Sequence, residues 1–260
     1  GADHLDDGAG PHVRRELVAR QGLLHPLVDH RPRHPEAHLK SEAWYILEAE
    51  PGAVIYKGVK EPLTRDEFAA HVRAGTVVEV LRAVEARPGT CHYLPAGTCH
   101  ALGEGVLVAE VQTPSDTTFR VYDWGRTDRE IHIEQALECV DLQPTDTRRE
   151  EKRSHLAAAF SSVSKLLQTD HFQVERIRMS EGYAQEIPYS DPAVWLVLEG
   201  AGTIDLPEGP GVDFAGGETL LIPANMTEAR LSLAADTMWL EVQFPQIQAG
   251  RIAGEKPNDE

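Results

Sequence analysis

The chain has 260 residues, 41% of them hydrophobic, and carries 25 Lys and Arg against 42 Asp and Glu, a formal net charge of −17. That length accommodates one large or two modest cores, and the charge argues against nucleic-acid phosphates or an anionic membrane as partners, since both would repel the protein at long range. No stretch approaches the ~20 apolar residues of a membrane span and the first residues lack a signal-peptide layout, so a soluble cytoplasmic protein is expected.

Residues 1–37 stand apart as an irregular amino-terminal segment. Counting to residue 39, this end holds six of the twelve histidines (His4, His12, His25, His30, His34 and His38) and five arginines, with almost no periodic apolar pattern beyond one short helix around 13–20. Residues 42–47 have the aromatic and β-branched content of a strand, and Pro51-Gly52 turns the chain into a second strand at 53–58. The period then changes. Thr64 followed by Glu67 resembles a capping box, and Phe68, Val72, Val77, Val80 and Leu81 predict two short helices broken at Gly75. After Pro88-Gly89 the strand signal returns at 90–94, 98–102, 105–112 and 118–124. A helical composition follows at 133–139.

Residues 142–164 are read as a linker because their first part, 142–155, is polar and charged. Beyond it come short strands at 170–179, 182–188, 193–200, 201–206, 218–223, 229–234 and 237–244, with Gly or Pro between nearly all of them. Such even spacing indicates a β-sandwich or barrel, and a jelly roll satisfies it with two facing sheets. Residues 172–260 contain no histidine, which deprives this half of imidazole ligands and makes it a metal-free, structural unit with Trp195, Leu196, Leu220, Leu221, Ile222 and Trp239 as core. The tail at 247–260 is expected to fray. Cys91, Cys99 and Cys139 form no Cys-x-x-Cys pair and are expected to fill core space.

Five segments carry a resemblance: 40–45 (Lys-Ser-Glu-Ala-Trp-Tyr), 87–89 (Arg-Pro-Gly), 94–102 (Leu-Pro-Ala-Gly-Thr-Cys-His-Ala-Leu), Glu110-Val111-Gln112 with Ser115-Asp116, and 118–124 (Thr-Phe-Arg-Val-Tyr-Asp-Trp). In this order and spacing they resemble type I mannose-6-phosphate isomerases, the phosphomannose isomerases of the cupin superfamily, in the short bacterial form. The match covers 38–141 well. The later half resembles the family's second cupin only in general pattern, at 198–200 and 216–223. The resemblance implies a mainly β fold of two tandem cupin (jelly-roll) barrels: a metal-binding catalytic cupin at 38–141 with a small helical insertion, and a second cupin at 165–246.

It also implies one divalent metal per chain, typically zinc, with Glu42 and His100 as ligands. Carboxylate and imidazole suit zinc, and a catalytic site leaves a position open. On a strand, Lys40, Glu42 and Trp44 share one face. Carried over from the family, Arg120 and Lys40 contact the substrate and its developing anion, while Lys40, Glu110 and a metal-bound water are candidate bases. The family's Gln-x-His-Pro segment is not matched: His25-Pro26 stands where its His and Pro should lie, but Leu23 occupies the Gln position. His25 is therefore the first candidate for a third ligand, with His34 and His38 as alternatives. The implied activity is interconversion of mannose 6-phosphate and fructose 6-phosphate. The competing readings are a non-catalytic sugar-phosphate-binding cupin with an incomplete metal site, and a cupin isomerase or epimerase acting on a related sugar.

Overall fold

A computed structural model describes the backbone of Leu27–Asp29 and residues 40–245, except 125, 127, 128, 188 and 227. The chain is mainly β, and its described residues divide into two units, one holding Leu27–Asp29 and residues 40–153 and the other residues 154–245. No helix among the described residues is long and apolar enough to cross a membrane. The expected helix near 13–20, and His25, His34 and His38, lie outside the described residues.

In the first unit one sheet holds β1 (Leu27–Asp29), β3 (Val54–Val59), β4 (Leu81–Glu85), β6 (Cys99–Leu102) and β8 (Thr118–Arg120) in the order β4-β3-β6-β1-β8. A three-stranded sheet, β5-β2-β7, is built from β2 (Glu42–Ala49), β5 (Cys91–Leu94) and β7 (Val106–Gln112). Alternate residues of both sheets meet in one core: Trp44, Ile46, Leu94 and Val108 from the smaller sheet, Ile55 and Leu102 from the larger. Each such side chain contributes about 1.5–3 kcal/mol on burial.

The capping box is present. Thr64 Oγ1 accepts the Glu67 N–H at 3.2 Å, and Glu67 Oε2 accepts the Thr64 N–H at 2.8 Å. Helix α1 (Arg65–Ala74) ends at Gly75, whose φ of 71° is the left-handed conformation that closes helices at low steric cost. α1, α2 (Val77–Val80) and α3 (Ile133–Cys139) put Phe68, Val72, Val77 and Ala136 against Cys99 and Val121, on the face of the larger sheet away from the core above. Leu81, expected in a helix, instead begins β4 and pairs with Val59. Its helical spacing after Val77 reflects burial in the same cluster, not a continuing helix. The three cysteines are buried.

Two of the second unit's strands fall in the interval read as linker: β9 (Ser154–Ala157) and the start of β10 (Ser161–Gln168). They join β11 (Gln173–Met179), β13 (Ala193–Glu199), β16 (Thr219–Ile222) and β18 (Thr237–Gln243) in the order β16-β13-β18-β11-β10-β9. A four-stranded sheet, β12-β17-β14-β15, comprises β12 (Ala184–Glu186), β14 (Ala201–Asp205), β15 (Val212–Ala215) and β17 (Arg230–Leu233). Trp195 and Trp239, with ring centroids 4.7 Å apart, sit between these sheets against Phe214, Ile204 and Leu231. Leu221 departs from expectation: on β16 Leu220 and Ile222 are buried while Leu221 between them is 67% exposed, as strand alternation requires.

Candidate active site

The site assembles on β2, β6, β7 and β8. Glu42 opens β2, where it lies opposite Leu94 on one side and Gln112 on the other. His100 on β6 lies opposite Lys57 of β3 and Leu27 of β1. Leu27 is also opposite Arg120. A single residue of β1 thus separates His100 from Arg120 in register, about two strand spacings or ~10 Å. The stretch read as irregular in the sequence therefore supplies the strand that closes the gap between β6 and β8. It was illegible because a three-residue strand shows no alternation.

Glu42 and His100 are 2% and 1% exposed, and Lys40 is 6% exposed. Glu42 Oε1 forms an ion pair with the Lys40 ammonium. Its other oxygen, Oε2, is 3.5 Å from His100 Nε2. His100 Nδ1 is 2.8 Å from the Thr98 carbonyl oxygen, which can only accept, so Nδ1 carries a proton. In the neutral ring Nε2 is then a lone-pair donor facing a carboxylate oxygen. Two acceptors at that distance repel unless a proton or a cation lies between them, so the pair can either share a proton or hold a cation, with Thr98 fixing the ring as a carbonyl partner does for ligating histidines. Burying carboxylate, ammonium and imidazole together costs several kcal/mol per ion before pairing, which natural proteins mostly tolerate at functional sites.

Trp44, in phase with Glu42, packs its ring edge-on to His100 at a centroid distance of 5.1 Å. Its indole N–H donates to Glu110 Oε2 at 3.2 Å. Glu110 is thereby tied to the Glu42–His100 pair through one side chain. Sequence reasoning placed Trp44 on the right face but gave it no role; its phase with Glu42 was the available signal. Arg120 is half-buried, and its Nη1 donates to the Glu130 carbonyl at 3.3 Å. Its backbone N–H donates to His132 Nδ1 at 3.2 Å, so the strand end is held from the chain that follows. Gln112 turns away and donates to the Ser115 carbonyl at 2.8 Å. Among the described residues no group of three or more His, Cys, Asp or Glu is placed to hold a metal. His25, the residue expected to complete the set, lies outside the described residues, two positions before Leu27.

No family model matches the chain. It is 32% identical over 211 residues to a Bacillus subtilis protein named probable mannose-6-phosphate isomerase GmuF, covering 79% of this chain and 65% of that protein. It is 29% identical over 238 residues to mannose-6-phosphate isomerase ManA of the same organism, covering 87% of this chain and 73% of that one. The crystal structure of the Bacillus subtilis mannose 6-phosphate isomerase superposes with a TM-score of 0.76 at 23% identity, over 86% of this chain and 72% of that chain. The chain thus spans just under two thirds of the length of the first of these relatives. Fold and relatives together show a mainly β protein similar to mannose-6-phosphate isomerases of Bacillus subtilis.

Proposed function

We propose that this protein interconverts mannose 6-phosphate and fructose 6-phosphate in the cytoplasm, using one divalent metal ion, zinc, per chain. The observation that carries this reading is the buried Lys40–Glu42–His100 group, in which Thr98 orients the imidazole and its Nε2 faces the Glu42 carboxylate. The relatives' names support the substrate. Glu42, His100 and His25 would hold the metal, whose chemistry is to stabilise negative charge on the two sugar oxygens that share it during proton transfer between C1 and C2. Glu110, with Oε2 held by Trp44, presents Oε1 to take the proton. Lys40 and Arg120 donate cationic hydrogen bonds to the oxyanion and the phosphate. We further infer that each unit is a cupin jelly roll, the first at 38–141 with the helices as its insertion and the second, at 165–246, without a metal.

Zinc content and a coupled fructose 6-phosphate assay test the reading. The unmodified protein should hold about one zinc per chain and turn over, because catalytic zinc generally needs three protein ligands. His100→Ala should lose both with its β-sheet circular dichroism intact, as should a variant with His25, His34 and His38 all replaced by alanine. Unchanged zinc in His100→Ala would refute the site. A wild-type protein with neither zinc nor turnover would make the non-catalytic sugar-phosphate binder the better reading.

A further inference from the structure

The first unit contains a second cluster of charged side chains that the proposed chemistry does not use. Lys57 continues the inward-facing phase of Ile55 on β3 and is only 2% exposed. Its ammonium donates to Thr147 Oγ1 at 2.7 Å and to Glu151 Oε1. The same carboxylate oxygen accepts the Thr147 hydroxyl at 2.9 Å and the Tyr93 N–H at 2.7 Å, so Lys57 and Glu151 neutralise each other. Asp146 is equally committed: it takes Arg148 Nε at 2.9 Å, Nη2 at 2.6 Å and the Arg148 backbone N–H at 3.1 Å. Burial, the largest cause, pushes His92 down to about 4, so its ring is neutral at physiological pH.

Arg82 is left over. It is half-buried, its Nε is closed to solvent, and it has no hydrogen-bond or ion-pair partner among the described residues. Thr145 Oγ1 is likewise buried without a partner. Both line one cavity of about 510 Å³, together with Lys57, His92, Asp146 and Glu151. Three lining cations (Lys57, Arg82, Arg148) against two lining carboxylates (Asp146, Glu151) leave a surplus positive charge, in a chain whose formal net charge is −17. A desolvated guanidinium edge with no acceptor is costly unless a ligand supplies one.

We propose that this cavity binds a phosphate oxyanion, gripped by the Arg82 guanidinium and the Thr145 hydroxyl. The planar fork of guanidinium suits phosphate, and the volume leaves room for an organic group attached to it. Two sources share that chemistry: free phosphate, or the phosphate end of a sugar phosphate entering from the His100 side, since Lys57 stands opposite His100 in register. The site is independent of the isomerase reading, because binding is measured without turnover.

The test is calorimetric titration of the full-length protein with inorganic phosphate and, separately, with mannose 6-phosphate. Arg82→Gln should weaken phosphate binding by about tenfold or more, the loss of one or two charge-assisted hydrogen bonds. Arg82→Lys should recover part of it, and Arg120→Gln should leave phosphate binding in place. Thr145→Val, which keeps the side chain's volume, should weaken binding several-fold with unchanged thermal unfolding. If saturating phosphate weakens the calorimetric binding of mannose 6-phosphate in wild type but not in Arg82→Gln, the substrate's own phosphate occupies the cavity. If phosphate binds through Arg82 without affecting the sugar phosphate, the ligand is free phosphate. Equal phosphate affinity in wild type and Arg82→Gln, or no binding to wild type at millimolar phosphate, would overturn the proposal.

Discussion

His92 makes the first unit acid-sensitive in a way that can be separated from its carboxylates. The ring is 8% exposed on β5, and Nε2 is 3.0 Å from Thr90 Oγ1. The Thr90 hydroxyl donates its only proton to the Arg87 carbonyl at 2.7 Å, so Nε2 carries the ring proton and acid must add to Nδ1. Burial opposes that charge most, and Lys57, Arg153 and Arg82 oppose it further; only Glu151 favours it. The folded value of about 4 lies below the usual imidazole value of 6.5. The unfolded chain therefore binds the proton first, so stability is fully present above pH ~6.5 and is lost as pH falls toward ~4. Linkage gives a loss of about 2 kcal/mol between pH 7 and 5, and about 3 kcal/mol by pH 4. Urea unfolding of wild type and His92→Gln across this range measures it, with amide exchange on β2 and β5 reporting this unit specifically. His92→Gln keeps a polar side chain beside Thr90 but cannot titrate. The stability gap between the proteins should close by about 2 kcal/mol from pH 7 to 5. Parallel curves with a constant offset would show that His92 is not held neutral by the fold.

Arg120→Lys should retain zinc yet lose at least about tenfold in turnover, because one ammonium cannot reproduce the multi-donor grip of guanidinium; near wild-type rates in the coupled assay would make Arg120 structural. Gly200→Ala tests the second unit. Gly200 has φ +88°, and an added Cβ would lie 2.4 Å from the Asp236 carbonyl oxygen and 2.6 Å from the Thr237 Cα. Strained backbone and a clash with main-chain atoms should cost about 2–4 kcal/mol in that unit, read as lower amide protection on β13 and β18. Unchanged protection there would mean that the Gly200 turn relaxes freely.

The parts of this molecule that could be read from its sequence are those whose cause is local. Thr64 and Glu67 cap α1 across three residues, and Trp195 faces inward as read, whereas Leu196 beside it, also read as core, is only half-buried because the strand alternates. Glu42 and His100 were legible for another reason: their flanking motifs resemble a family whose chemistry needs them together, although 58 positions separate them along the chain. The strands β1, β4, β9 and β15 have three to five residues each, too few to show a period, and take their conformation from pairing. The Lys57–Glu151 pair was hidden more deeply. The phase of β3 already puts Lys57 beside Ile55, but a strand does not say which face is inside, and a lysine in phase with isoleucine reads as easily as a rim residue. Its partner lies 94 residues away in a stretch so rich in charge that composition marks it as solvated. Only the fold shows that this stretch brings Thr147 and Glu151 to the Lys57 ammonium, and that with Lys57 and Glu151 paired the Arg82 Nε still lacks an acceptor. A half-buried cation whose Nε finds no acceptor is a property of the packed molecule, which is why the second cavity is argued from geometry and the first site from motif and geometry together.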